Sequence, residues 1–105
     1  MKVFRGDRTI DGVVASVDGR RLANHADVAA FTKNKFEWGY EGPEPTQLAF
    51  AILFQHLGDA ERARRLAPAF MRDVVANFGN EWELTGTELD EVLAGIEKTK
   101  YSGRS

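Results

Sequence analysis

The chain has no cysteine, which removes disulfides, thiolate metal sites and a cysteine nucleophile together and fits a reducing compartment, so the cytoplasm is the expected location. Histidine is nearly as scarce. His25 and His56 are the two in the chain, and neither stands in an HxxxH or HExxH spacing or near the serine and carboxylate pattern of a triad. His56 falls at the end of an apolar run, where an imidazole suits a helix C-terminus; His25 lies in a loop with Asp27. No apolar run reaches membrane-spanning length, and the start MKVFRGDRTIDG interleaves charge with apolar residues, unlike a signal peptide, so no membrane association is expected. Charge of one sign is not in excess either. Fourteen Lys and Arg against 16 Asp and Glu give no global attraction to nucleic acid or anionic lipid, which leaves only local patches for such binding. Neither GxxxxGK[ST] nor GxGxxG occurs, so no phosphate cradle is expected. These absences point away from an enzyme, a metal site and a cofactor.

What is present is enough for one core. A chain of 105 residues with 43% hydrophobic content suits a single domain, expected over residues 1–97 with a polar, frayed tail over 98–105. Val3-Phe4 and the run Val13 to Val17 are β-rich segments punctuated by Gly6, Asp11-Gly12 and Asp18-Gly19. The Asp18-Gly19 pair suits a type I′ turn, where both central residues take positive φ, so a hairpin near 13–22 is predicted, with Val3 to Arg5 as a third strand. Asn24 to Lys35 reads as weak helix or coil.

Helix is predicted from about Thr46 to Leu57. Pro45 and Glu44 suit its first turn, and Leu48 to Phe54 has no polar face, as in a helix covered on all sides. Gly58 reads as its C′ residue and Asp59 as the N-cap of a second helix running from Ala60 toward Phe78, with a kink or break expected near Arg64 to Ala67 ahead of Pro68. Glu81 to Leu84 alternates like a short strand. Thr85-Gly86-Thr87-Glu88 has the spacing of a capping box opening a last helix with Leu89, Val92, Leu93 and Ile96. The predicted class is α+β: an N-terminal β-hairpin or small antiparallel sheet packed on three helices.

Between sheet and helices lies FEWGYEGPEPTQLAFAI, Phe36 to Ile52. Its glycines and prolines oppose regular structure, and Trp38 is expected to bury against the helix that follows. Glu37, Tyr40, Glu41 and Glu44 then form an expected protein-binding rim, pairing an amphipathic aromatic with acids that match a basic, nucleic-acid-handling partner. Reversal of Glu41 and Glu44 to lysine is expected to leave stability nearly unchanged. The alternative surface is Arg62, Arg64, Arg65 and Arg72 on the second helix, where arginines beside aromatics could hold single-stranded nucleic acid; the interleaved Asp59, Glu61 and Asp73 suit a solvated face instead.

The stretch FEWGYEGPEPTQLAFAIL resembles a family of small uncharacterised proteins, a domain of unknown function found in phages, bacteria and haloarchaea, with a pattern near FEWGYGGSGPAQLALAIL. Phe36, Glu37, Trp38, Gly39, Tyr40, Gly42, Pro45, Gln47, Leu48, Ala49, Ala51, Ile52 and Leu53 fit it. A weaker likeness runs from Phe4 to Leu93 through VDGRRL, LGDAERA and WELT. Glu41, Pro43 and Glu44 depart from it, standing where the family usually has Gly, Ser and Gly. The resemblance implies a small accessory protein of phages or mobile elements, and by analogy an inhibitor of host defence of the anti-CRISPR kind.

Overall fold

The structure, a computed structural model, describes the backbone of residues 2–102 and the side chains of residues 2–98. Strands β1 (Val3–Thr9), β2 (Gly12–Val17) and β3 (Arg20–Arg21) come first, followed by helices α1 (Pro43–Leu57) and α2 (Ala60–Asp73), a 3-10 turn at Val75–Asn77, strand β4 (Glu81–Thr85) and helix α3 (Gly86–Ser102). The fold class is the predicted α+β. The four strands form one antiparallel sheet in the order β3-β2-β1-β4. At the β2–β3 turn Asp18 and Gly19 both take positive φ, as a type I′ hairpin demands. A second hairpin, Thr9 to Gly12, joins β1 to β2 with Ile10 fully exposed at its tip.

Alternation assigns the two faces of the sheet. Phe4, Gly6, Ala15, Trp82 and Leu84 are buried, and the four with side chains share one core cluster with α1, α2 and α3. Arg5, Asp7, Val14, Glu81 and Glu83 are exposed, with Arg5 bonded to Glu83 at 2.9 Å. α1 is the centre of the core. Every residue from Pro45 to Leu53 is buried, so the absence of a polar face in that run is matched by cover on all sides.

α1 starts three residues before the predicted Thr46, with Pro43 in its first turn, where a missing N–H costs nothing. α2, by contrast, is shorter than predicted. Val74 leaves helical geometry at φ −125°, and the 3-10 turn that follows releases Phe78 to stack on Trp82 at 4.2 Å. Of the kink or break expected near Arg64 to Ala67, the break does not occur: α2 is helical through these residues and beyond Pro68. Residues 24–35 are irregular. α3 continues over 98–102, where the sequence suggested the start of a polar tail; the remainder of that tail, 103–105, lies outside the described residues.

The α1–α2 junction forms as its residues dictate. Gly58 is left-handed, at φ 70° and ψ 15°, and donates to the Phe54 carbonyl at 2.8 Å, while the Asp59 carboxylate accepts from the Arg62 N–H at 3.1 Å. A Cβ at 58 would meet nothing within 4 Å. Gly58→Val is therefore expected to cost about 1 to 2 kcal/mol through backbone conformation alone, measurable as a lower urea midpoint at unchanged slope. An unaltered midpoint would contradict a left-handed requirement at this turn.

Candidate surface around the Trp38 loop

The loop from Phe36 to Gly42 is pinned at both ends. Glu37 pairs with Arg8 of β1 at 2.8 Å, and the same guanidinium donates to the Trp38 carbonyl at 3.2 Å and lies 5.2 Å from the Trp38 ring centroid. Trp38 is 1% exposed. Its indole N–H donates to the Gly79 carbonyl at 2.7 Å, and its ring meets Trp82 edge-on at 5.6 Å. Gly39 follows at φ 88° and donates to the Val75 carbonyl at 3.1 Å. A side chain there would be strained, and its Cβ would stand 3.2 Å from the Phe78 carbonyl oxygen.

Beyond Gly39 the chain turns outward. Tyr40 is 44% exposed, and its hydroxyl donates to Glu44 at 2.9 Å across the start of α1. Glu44 also accepts from the Thr32 hydroxyl at 2.7 Å and the Asn34 amide at 3.1 Å. The tyrosine ring lies over Gly42, where a Cβ would come within 3.0 Å of Tyr40 Cε2. Glu41 and Pro43 project freely into solvent. The four predicted rim residues thus divide by role: Glu37 and Glu44 hold the loop, Tyr40 is held by Glu44 with one side open, and Glu41 is the free charge.

The three donors bring the Glu44 carboxyl down to about 2, with Thr32 contributing most, then Asn34, then Tyr40. Tyr40 is shifted upward, by desolvation first and then by its bond to the Glu44 carboxylate. A carboxyl whose folded value is depressed contributes stability above its unfolded value of 4.5, and that contribution is lost as pH falls from there through about 2. In an NMR titration the Thr32, Asn34 and Tyr40 amides are expected to hold their positions to about pH 3 and to move together below it. Movement centred at the ordinary glutamate value would show that Glu44 is not held in this way.

Arg8, Thr32, Asn34 and Gln47 were not identified from sequence as residues that build this surface. Gln47 is 1% exposed; it accepts from the Phe31 N–H at 2.7 Å and donates to the carbonyls of Asn24 and Ala29 at 2.8 and 3.0 Å. Its signal was a lone amide beside an all-apolar helical run, since a buried polar side chain must find partners. Arg8 carried no local signal, because its partners lie 29 and 30 residues away.

The four arginines do not all gather on one face: Arg62, Arg65 and Arg72 lie toward α3, and Arg64 lies apart from them. Arg62 makes a two-point pair with Glu97 of α3 at 2.7 and 3.3 Å, which raises the guanidinium and lowers the carboxyl. Arg64 borders a small depression with Val28, Ala29 and Glu61, whereas Arg65 and Arg72 flank a groove between α2 and α3. His25 packs edge-on against Phe54 at 4.8 Å, and His56 bonds Asp90 at 2.7 Å. Among the described residues no three His, Cys, Asp or Glu side chains are grouped so as to hold a metal ion, and no helix is long and apolar enough to cross a membrane.

Residues 4–95 match the model of a family described as a family of unknown function, DUF6166. No curated protein and no solved structure matches the chain.

Proposed function

The chain belongs to the DUF6166 family of unknown function, and from that premise we propose that it is a small non-enzymatic binding protein that acts stoichiometrically on a basic protein partner through Glu37, Tyr40, Glu41 and Glu44. The observation that carries this reading is the half-exposed Tyr40, whose hydroxyl is fixed by a carboxylate that stays anionic at every physiological pH. An aromatic already held in one orientation loses little freedom on binding, and the acids around it favour encounter with a positive surface. The process we assign is antagonism of a host defence complex in the cytoplasm, by a protein of phage or mobile-element origin and of the anti-CRISPR kind. A complex that handles nucleic acid offers the basic surface such a rim would meet. Nucleic-acid binding by Arg62, Arg64, Arg65 and Arg72 is the lesser reading, since one of the four is neutralised by Glu97 and the others border two different depressions.

Glu41→Lys carries the test. Glu44→Lys would break three hydrogen bonds that hold the loop, so the double reversal anticipated from sequence is not neutral for stability. Immobilised wild-type protein is expected to retain a protein from host lysate with or without nuclease, and both Glu41→Lys and Tyr40→Ala are expected to lose it; Glu41→Lys melts within about 2 °C of wild type, as exposed substitutions do, whereas Tyr40→Ala gives up its bond to Glu44 and melts a few degrees lower while remaining folded. Retained material that nuclease removes, and that disappears on Arg64→Gln while surviving Glu41→Lys, would overturn the proposal in favour of nucleic acid.

A further inference from the structure

We propose that the groove between α2 and α3 is a second docking site, shaped for an acidic amphipathic helix of a protein partner. Its floor is apolar: Leu66 and Ala69 from α2 meet Val92 and Ile96 from α3 around a cavity of about 620 Å³. Its rim is basic. Arg65 and Arg72 stand seven residues apart on one face of α2 with Asp73 beside them, two cations against one carboxylate. Neither arginine has an ion-pair partner among the described residues; Glu97, whose carboxyl Arg65 also helps to hold below its ordinary value, is occupied by Arg62.

A third feature is independent of charge. Gly95 lies in the interior of α3, where glycine costs about 1 kcal/mol relative to alanine, yet a Cβ at that position would meet nothing within 4 Å. Nothing inside the molecule requires a glycine there. Its missing side chain keeps the groove wall low where an incoming backbone would pass, which is what glycine provides at sites of close approach. The arginines specify the occupant. Seven helical residues span about 10 Å, so carboxylates at i and i+7 of a partner helix match Arg65 and Arg72, and apolar residues at i+3 and i+4 between them meet the floor. This surface differs from the Tyr40 rim in place and in sign of charge, and it does not depend on that reading.

The test titrates isotopically labelled protein with a synthetic alanine-based helical peptide carrying Glu at i and i+7 and Leu at i+3 and i+4, and with the same peptide bearing Lys in place of Glu. The Glu peptide is expected to move the amide signals of Ala69, Gly95 and Ile96 saturably, and the Lys peptide to bind at least about tenfold more weakly. Gly95→Leu should fill the groove and weaken binding by about tenfold or more while the melting temperature stays level or rises. The double variant Arg65→Glu/Arg72→Glu should reverse the preference between the two peptides. Shifts confined to other surfaces, equal binding of both peptides, or undiminished binding by Gly95→Leu would each overturn the proposal. So would self-association in sedimentation that Gly95→Leu abolishes, because the groove would then belong to a second copy of the chain.

Discussion

Trp38→Ala is expected to destabilise the protein by about 3 to 5 kcal/mol, in the range of large aromatic truncations in cores, and to lower the melting temperature by about 15 °C or more for a chain of this size. Three losses combine. The indole is almost wholly buried, its N–H satisfies the Gly79 carbonyl, and its ring carries the edge contact to Trp82 and the cation contact from Arg8. The stretch quoted from Phe36 is thus built as the entrance to α1, with its exposed residues displayed on that support. Trp38→Phe separates the terms: it keeps most of the packing and leaves the Gly79 carbonyl without its donor, so an intermediate loss of about 1 to 3 kcal/mol is expected. A melt of Trp38→Ala within two degrees of wild type would show that the ring does not anchor the loop.

The second large effect comes from a residue with no side chain. Gly6 lies in β1 opposite Trp82 of β4, and a Cβ built on it would fall inside the contact distance of indole Nε1, Cε2 and Cζ2. Even alanine must push the indole away, and the indole is stacked on Phe78 and met by Trp38, so it has nowhere to go without unpacking both. Gly6→Ala is expected to cost about 3 kcal/mol, overpacking at the upper end of its usual range. The cause is checked by a double-mutant cycle. In a Trp82→Ala background the added methyl group should cost far less, since its obstacle is gone. An equal penalty in both backgrounds would place the effect in the strand backbone and not in the indole.

Legibility in the sequence followed the range of the interaction. The Asp18-Gly19 turn, the Gly58 cap and the Thr85 capping box depend on residues within four positions of one another. The last of these forms reciprocally, with Thr85 N–H to Glu88 at 2.8 Å and Glu88 N–H to Thr85 at 3.1 Å. Apolar spacing misled where burial outlived the helix: Val74 and Phe78 continue the periodicity of α2, but Phe78 is there to stack on Trp82 after the chain has left helical geometry. Gly6 read as punctuation in a strand, whereas it is a socket for a residue 76 positions away, given by 82 minus 6. Glu44 read as a helix-start acid in solvent, and its restraint by Thr32 and Asn34 lies in an irregular segment that has no period to expose it. The arginines showed their helical phase but not that Glu97 would claim one of them.

The strand order has a consequence in time. β1 is followed immediately in the chain by its partner β2, but its other edge is completed only by β4, with Val3 opposite Thr85. At about 5 to 20 residues per second, that edge stays open for seconds while the buried helix α1 is made behind it. Newly made chains therefore pass through a stage with an unpaired strand and uncovered apolar surface, the condition in which chains join edge to edge or recruit a chaperone. Chains stalled with the residues before Glu81 outside the ribosome and β4 still inside it should be captured by a holdase, and chains tethered through a linker long enough to bring Ser102 outside should be released. Capture that does not change across this boundary would mean that the hairpin is sheltered earlier by some other element.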